Sequence, residues 1–241
     1  MIVLFTDFGV ADPYVGQLHG VLARLAPGVP VIDLLHNVPA FDVRAGAYLL
    51  PALAAQFQPG TVFVCVVDPD VGTIRAPVML FADERWYVGP DNGLFTLLAR
   101  RAAACECRVI DWRPPRLSAS FHGRDLFAPV AARLARGEIP DSRPGTLTAP
   151  AGPWPDDWPR VVYLDHYGNA MTGLRAAAVS PTHRLQVRDR KLDHARVFAE
   201  VPPGTVFWYE NSIGLVEIAA NCASAAAQLG LRLGDALDVL P

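Results

Sequence analysis

The chain has 241 residues, of which 51% are hydrophobic and 19% are charged, and its formal net charge is −3. This composition predicts a folded protein with one large or two modest domains, each with its own core. The 21 basic and 24 acidic residues form no polybasic run, which argues against a nucleic-acid-binding protein. No apolar segment has the length of a membrane span, so we expect no membrane partner.

The N-terminus and the cysteines predict a reduced, cytoplasmic protein. The apolar run Met1–Phe5 meets Asp7 too early to form a signal peptide. Cys65 lies inside an apolar run, while Cys105 and Cys107 lack a second pair at zinc-binding spacing. We therefore expect no metal site.

Strand-like and helix-like runs alternate through residues 1–139, which predicts an α/β N-terminal domain with a mainly parallel sheet. We predict strands at Ile2–Phe5, Val29–Leu35, Val62–Val67, Val78–Phe81 and Arg108–Ile110. We predict helices at Tyr14–Leu25, Asp42–Phe57, Leu94–Ala104 and Phe127–Leu134.

Residues 140–159 differ in composition from the rest of the chain, with six prolines and the two tryptophans Trp154 and Trp158. Proline lacks an amide donor and restricts the residue before it, so we expect neither helix nor strand in this stretch. We predict an ordered linker, because two tryptophans would be unusual in a disordered one.

Short apolar runs at close spacing fill residues 160–241 and predict a small antiparallel β domain. The predicted strands are Arg160–Leu164, Arg184–Val187, Arg196–Glu200, Val206–Tyr209, Leu215–Ile218 and Ala236–Val239. A short helix is predicted at Ala223–Leu229.

Six polar clusters lie beside predicted strands or open a helix: Thr6–Gly9, Asp68–Arg75, Gly89–Gly93, Phe121–Asp125, Asp165–Asn169 and Asn211–Gly214. Each cluster taken alone also has a purely structural explanation. For example, Asp12, which follows the first cluster closely, suits a helix N-cap, and Asp165–Asn169 suits a hairpin connection. Loops at the strand ends of one sheet converge in space, however. Their recurrence therefore predicts a shared site.

The cluster Asp68–Arg75, which reads DPDVGTIR, is the most informative of the six. It follows the buried run Val62–Val67 directly, and polar loops of this kind bind ligands at the carboxyl edge of an α/β sheet. A carboxylate and a guanidinium held by one tight turn can orient a polar reactant or a water molecule. The pattern indicates an enzyme.

Six motifs, in order along the chain, resemble those of the SAM hydroxide adenosyltransferases, which are relatives of the fluorinase and chlorinase enzymes. The motifs are TDFG with D-x-Y-V-G, DP-x-VGT-x-R, GPDNG, FHGRD-x-FAP, D-x-x-GN-x-x-T and NS-x-G-x-x-EIA. The resemblance runs from Ile2 to the C-terminus. It implies an α/β domain joined to a C-terminal β-barrel, and a homotrimer that binds S-adenosylmethionine (SAM) between neighbouring subunits. It also implies hydrolysis of SAM to adenosine and L-methionine, with SAM as substrate and no separate cofactor.

Residue by residue, the resemblance assigns catalysis to Asp68, Arg75 and His122, a set that the halogenating relatives do not keep. It assigns the ribose hydroxyls to Asp7, since a carboxylate accepts two hydroxyl hydrogen bonds at once. The other substrate contacts that it implies are Asp12 and Tyr14 near the ribose and methionyl part, Asp165, Asn169 and Ser212 at the amino-acid end, and Asn211, Asn221 and Cys222 along the adenine.

Three positions depart from the pattern of the family. Asp70 stands where the family usually has Gly, which adds a carboxylate to the catalytic turn. Gly173 replaces a frequent Asn after Thr172, and Met171 stands where the fluorinase carries an aromatic residue.

Three other functions remain open on the residues alone. Asp7, Asp68, Asp91 and His122 could surround two metal ions in a phosphoester hydrolase, although one His among several Asp is a thin ligand set. A halide-using transferase of the same fold would not need both Arg75 and His122. A protein that binds SAM or adenosine without catalysis is the third alternative.

Overall fold

The computed structural model describes all 241 residues, and the chain forms two compact units. The first unit comprises Met1–Pro51 and Phe57–Ala151, and the second comprises Ala52–Gln56 and Gly152–Pro241. Each unit has a hydrophobic core of its own.

Strands and helices alternate in the first half of the chain, and strands dominate the second half. The strands are β1 (Ile2–Thr6), β2 (Val31–Leu35), β3 (Val62–Val66), β4 (Pro77–Ala82), β5 (Arg85–Pro90), β6 (Cys105–Ile110), β7 (Ser142–Gly145), β8 (Trp158–Leu164), β9 (Ala170–Arg175), β10 (Arg184–Val187), β11 (Arg190–Leu192), β12 (Val206–Glu210), β13 (Leu215–Ala220) and β14 (Asp238–Leu240). The helices are α1 (Pro13–Leu25), α2 (Val43–Ala54), α3 (Thr96–Arg101), α4 (Ala128–Ala135) and α5 (Ala225–Leu229).

The first unit is built on a seven-stranded mixed sheet with the order β2-β1-β3-β5-β4-β6-β7. Strands β2, β1, β3 and β5 run parallel, while β4, β6 and β7 add antiparallel pairs. The register pairs Thr6 of β1 with Val66 of β3, so the loops after these two strands leave the sheet at the same edge. Ligand sites of α/β sheets lie at this carboxyl edge.

The core of the first unit explains why β1 and β3 have continuous apolar sequences. Every residue of both strands is buried, as expected for strands covered on both faces. Leu18 and Leu22 of α1 and Val130 of α4 belong to the same buried cluster as Leu4 and Val64. Full burial of such side chains contributes about 1.5–3 kcal/mol each.

The second unit contains two antiparallel sheets, one with the order β12-β13-β9-β8 and one with the order β11-β10-β14. Isolated bridges join Arg160 of β8 to Ala236, which lies just before β14, and Trp208 of β12 to His194, which lies just after β11. Trp208 and Ile218 pack in the core of this unit together with Val187. The predicted classes, α/β before an antiparallel β region, are confirmed.

Several predicted elements differ from the structure. The strand predicted at Arg196–Glu200 is wrong, because Phe198–Glu200 forms a 3₁₀ turn. The prediction that residues 140–159 hold no strand is also wrong, since β7 pairs with β6. As the last strand of its sheet, β7 tolerates Pro144. The strands β5, β9 and β11 were not predicted, because glycines, prolines and charged residues interrupt their apolar pattern.

None of the helices has both the length and the hydrophobicity that crossing a bilayer requires.

Candidate active site

A cavity of about 330 Å³ lies at the carboxyl edge of the parallel strands in the first unit. Four of the predicted site residues line it together: Asp7, Tyr14, Asp68 and His122. The first follows β1 and the third follows β3, as the shared sheet edge requires. Phe8 and Phe121 add apolar walls.

Asp68 and Arg75 form a bidentate ion pair across the turn that contains them. Arg75 Nε donates to Asp68 Oδ1 at 2.6 Å, and a terminal guanidinium nitrogen donates to the second carboxylate oxygen. Their side chains are only 4% and 9% exposed, so the pair is shielded from water. Burial lowers the pKa of Arg75 to about 10, which still leaves the guanidinium charged at neutral pH. Arg75 is therefore a fixed cation and not a base.

Asp70, the additional carboxylate of this turn, is exposed and forms no ion pair. Its backbone carbonyl accepts a hydrogen bond from the amide of Thr73, and Ile74 is fully exposed next to it. The extra charge thus stays outside the Asp68–Arg75 pair.

Gly72 brings the turn against the segment that leads to His122. Its φ is +87°, and a Cβ built there would lie 2.5 Å from the carbonyl oxygen of Ala119. Only glycine allows both this conformation and this approach. The close contact explains how two loops distant in sequence are held at one cavity.

His122 immediately precedes a π-helical turn, Gly123–Phe127, which continues into α4. Such turns are rare and occur frequently at functional sites. The pKa of His122 is lowered by burial and by the positive charges of Arg75 and Arg113, while Asp125 opposes the shift. Because its pKa lies below the ordinary value, the imidazole is neutral at pH 7 and able to accept a proton.

One of the two carboxylate oxygens of Asp7 accepts a hydrogen bond from the backbone. Its Oδ2 accepts a hydrogen bond from the amide of Phe41 at 3.0 Å, and Phe41 has a φ of +64°. Burial raises the pKa of Asp7, while the Phe41 amide opposes the shift. The second oxygen remains available to a ligand with hydroxyl groups.

A buried histidine that the sequence did not reveal anchors the loop carrying Asp7. His36 Nδ1 lies 2.7 Å from the Thr6 hydroxyl, and its Nε2 lies 3.0 Å from Asp33 Oδ1. The Thr6 hydroxyl also accepts the amide of Phe8, and the His36 carbonyl accepts the amide of Gly9. The one sequence feature that could have indicated this role of His36 is its position directly after β2, the strand beside β1.

Tyr14 belongs to an aromatic cluster, whereas Asp12 has no contact with the cavity. Phe8, Tyr14 and Phe121 meet at ring-centre distances of 5.5–5.9 Å with tilted or edge-on geometry. Asp12 stands at the N-cap position of α1 but makes no side-chain capping hydrogen bond. The structure therefore places Tyr14 in the cavity lining and leaves Asp12 outside it.

The second unit has a larger cavity, of about 860 Å³. The predicted site residues that line it are Asp165, Asn169, Asn211, Ser212 and Cys222. Asn221 is absent from the lining, and its side-chain amide donates to the carbonyl of Val201 at 2.7 Å.

Asp165 and Asn169 form a closed hydrogen-bonded turn. The backbone amide of Asn169 donates to Asp165 Oδ1 at 2.8 Å, and its side-chain amide donates to Oδ2 at 2.9 Å. Gly168 within the turn has a φ of +82°, and a Cβ there would overlap Ser224. The turn is rigid, and each Asp165 oxygen keeps a lone pair for another donor.

Glu217, which the sequence analysis did not select, is a buried carboxylate of the second cavity. Tyr209 donates to its Oε1 at 2.8 Å, and the Asn211 side-chain amide donates to its Oε2 at 2.7 Å. Asn211 Oδ1 in turn accepts the amides of Ile213 and Leu215. Glu217 thus orients Asn211 and, through it, the turn that exposes Ser212. The sequence feature that could have identified Glu217 is a glutamate within the otherwise apolar strand LVEIAA.

The pKa of Glu217 is raised by burial and by the charge of Asp165, although its two hydrogen-bond donors oppose the shift. No three His, Cys, Asp or Glu side chains in the chain gather closely enough to hold a metal ion. In the first unit, Asp68 and His122 line the cavity, whereas Arg75 does not line it and is paired with Asp68. The charge of Arg75 still lowers the pKa of His122, so a fixed cation and a neutral imidazole lie near one another.

Comparison with known proteins gives a consistent result over the whole chain. Residues 2–143 match the SAM hydroxide adenosyltransferase N-terminal domain, and residues 159–238 match the C-terminal domain of the same name. The chain is 44% identical to the (R)-S-adenosyl-L-methionine hydrolase of Salinispora arenicola, over 97% of this chain and 95% of that protein. It is 27% identical to the fluorinase of Actinopolyspora mzabensis, over 97% and 95% of the two chains.

Among solved structures, an uncharacterised conserved protein from Thermotoga maritima superimposes with a TM-score of 0.87 at 31% sequence identity. The match covers 100% of both chains.

Gly72→Ala is expected to destabilise the first unit, because the new Cβ would meet the Ala119 carbonyl and hold a disfavoured φ. We expect a loss of about 1–3 kcal/mol in the free energy of unfolding, measured by urea denaturation. Gly60→Ala is the matched control, since Gly60 has a φ of +81° and no atom within 4 Å of its Cβ position. Equal losses in the two variants would exclude the Ala119 contact.

Glu217→Gln is expected to become more stable relative to the parent protein as pH rises. A carboxyl whose pKa is raised on folding binds its proton more tightly in the folded state, so its stabilising contribution is lost as pH rises through the folded pKa. Glutamine does not ionise; its Oε1 can still accept from the Asn211 amide, while its Nε2 would donate to the Tyr209 hydroxyl and so reverse that hydrogen bond. Urea denaturation between pH 4 and 8 measures the difference in the free energy of unfolding between the variant and the parent protein. Glu210→Gln is the control, because Glu210 is exposed. A difference in unfolding free energy that does not depend on pH would contradict the raised pKa of Glu217.

Proposed function

This chain belongs to the SAM hydroxide adenosyltransferase family, and on that premise we propose that it hydrolyses S-adenosyl-L-methionine to adenosine and L-methionine. The observation that carries the proposal is the buried Asp68–Arg75 ion pair beside a cavity that His122 also lines. Asp68, Arg75 and His122, the set that the halogenating relatives do not keep in the resemblance, are all present, and the charge of Arg75 is close enough to His122 to lower its pKa.

The reaction is a substitution at the ribose 5′ carbon, in which a bond from water oxygen to carbon forms and the carbon–sulfur bond breaks. The sulfonium leaves as a neutral thioether, so no acid is needed to protonate it. Catalysis then consists of holding the water in line and separating it from bulk solvent. The apolar rings of Phe8 and Phe121 supply such surroundings.

We assign separate roles to Asp68 and His122, which line the first cavity, and to Arg75, which is paired with Asp68. Arg75 holds and polarises the water as a fixed cation, and Asp68 positions Arg75 through its two hydrogen bonds. His122 takes the proton of the water, because its lowered pKa keeps the imidazole neutral and it makes no side-chain hydrogen bond within the chain.

The remaining contacts follow from the chemistry of the cavity linings. Asp7 has an unused carboxylate oxygen suited to the ribose hydroxyls, and Tyr14 adds a wall beside it. Asp12 has no such support and rests on the resemblance alone.

In the second unit we assign Asp165, Asn169 and Ser212 to the amino-acid end of SAM. The lone pairs left on Asp165 suit an ammonium group, and the Ser212 hydroxyl is exposed to the cavity. Asn211, Asn221 and Cys222 are assigned to the edge of the adenine, where only Asn211 and Cys222 line the cavity.

We further propose a cytoplasmic homotrimer whose SAM sites combine residues of neighbouring subunits, with domains at 1–139 and 160–241 joined by the linker 140–159. The trimer rests on the family resemblance, the domain bounds rest on the change in composition at residues 140–159, and the location rests on the cysteines and the N-terminal sequence. Light scattering would test the trimer. Closure of the second unit into a barrel is supported by the two bridges, Arg160 with Ala236 and His194 with Trp208.

His122→Ala and Arg75→Ala are expected to lower kcat about 10²–10⁴-fold while KM for SAM changes only a few-fold, since both groups act on the water and not on the substrate. The assay follows adenosine and methionine formed from SAM. His194→Ala is the matched control, because His194 lies in the second unit and lines neither cavity. Unchanged kcat in either variant would remove that residue from the mechanism, and adenosine binding without any product in the parent protein would indicate a non-catalytic binder.

Assays with chelator and with halide separate the remaining alternatives. Full activity after chelation and without halide is expected. Loss of activity on chelation would support a metal-dependent hydrolase, and dependence on halide would support a halide-using transferase.

The acidic limb of the pH profile of kcat is expected below 6.5, the ordinary pKa of histidine, because protonation of His122 removes the base. Arg113→Gln removes a positive charge that lowers the His122 pKa, so the limb should move to higher pH. Asp125→Asn removes a negative charge that raises this pKa, so the limb should move to lower pH. Shifts in the same direction for both variants would contradict His122 as the base.

A further inference from the structure

The first unit has a second cavity, of about 520 Å³, in a position that the proposed reaction does not use. Five arginines line it beside Trp112: Arg24, Arg116, Arg124, Arg133 and Arg136. They come from α1, from the segment before His122, from the π-helical turn, and from α4 and its C-terminal end. This concentration of positive charge is unexpected in a chain with a net charge of −3.

Only two of these arginines are neutralised by carboxylates. Arg124 pairs with Asp125 at 2.6 Å, and Arg136 pairs with Glu138 at 3.0 Å. Arg24, Arg116 and Arg133 have no carboxylate partner, and the guanidinium of Arg133 lies over the Trp112 ring at 4.5 Å from its centre. We call this site the arginine cavity.

Local helix electrostatics explains part of the arrangement. Arg24 and Arg133 each lie in the last turn of a helix, where a cation is stabilised by the partial negative charge of the helix end. Arg116 lies in no helix and gains nothing from such an effect. Helix ends also do not explain why the three side chains converge on one concave surface, since like charges brought together repel.

We propose that the arginine cavity binds a small molecule through a diphosphate group. Guanidinium groups present paired donors that match phosphoryl oxygens, and three of them without carboxylate partners can neutralise several phosphate charges. The volume is in the range of small-molecule sites. A nucleic acid backbone would need an extended basic surface, whereas the unpaired arginines are gathered in one cavity.

Inorganic pyrophosphate is the appropriate probe, because it lacks the adenosyl group that the active site would recognise. Titration calorimetry with the full chain at constant ionic strength is expected to show binding. Removing one charge-assisted contact weakens binding about tenfold or more, so Arg24→Gln/Arg116→Gln is expected to lower the affinity about 100-fold.

Arg190→Gln/Arg232→Gln is the matched control, since both residues are exposed in the second unit and the change in net charge is the same. Unchanged affinity in this control with loss in the cavity variant supports the site. Arg133→Gln, on a different element, tests the same site if the double variant fails to fold.

Two results would overturn the proposal. One is the absence of pyrophosphate binding to the parent chain; if the cavity variant then also changes in molecular mass, these arginines form a contact between copies. The other is equal weakening in the control and the cavity variants, which would reflect net charge only.

Discussion

The ion pair between Asp68 and Arg75 is the interaction on which the arrangement of the first unit depends. A guanidinium this deeply buried is tolerated because a carboxylate satisfies it through two hydrogen bonds, and breaking such a pair costs about 3–5 kcal/mol. The pair closes the turn after β3, and Gly72 lets that turn touch the carbonyl of Ala119. The segment carrying His122 is thereby held at the same cavity. Backbone geometry and charge pairing act together here.

The same cation sets the chemistry of the neighbouring histidine. Its positive charge adds to the effect of burial in lowering the pKa of His122, so the imidazole is neutral at pH 7, as the proposed role of a base requires. Attack of a hydroxide-like oxygen on a sulfonium neutralises charge, and surroundings of low polarity favour that step. The rings of Phe8, Tyr14 and Phe121 provide them.

The sequence predicted the parts of the site that follow from one strand and its loop. Asp68 and Arg75 belong to a single turn after an apolar run, so their proximity was predictable. Glu217 was not selected, because its role depends on the register of β12 and β13, which brings Tyr209 beside it. The arginine cavity was also missed, since its side chains come from several elements. Both the role of Glu217 and the arginine cavity depend on long-range packing, which local sequence patterns do not encode.

The most direct test of the central claim is turnover in water enriched in oxygen-18. Attack by water on the ribose 5′ carbon predicts adenosine with one heavy oxygen, located at the 5′ hydroxyl, and methionine without label. Mass spectrometry of the two products would measure this distribution. Unlabelled adenosine, or label in methionine acquired during turnover, would contradict hydrolysis by water held between Arg75 and His122.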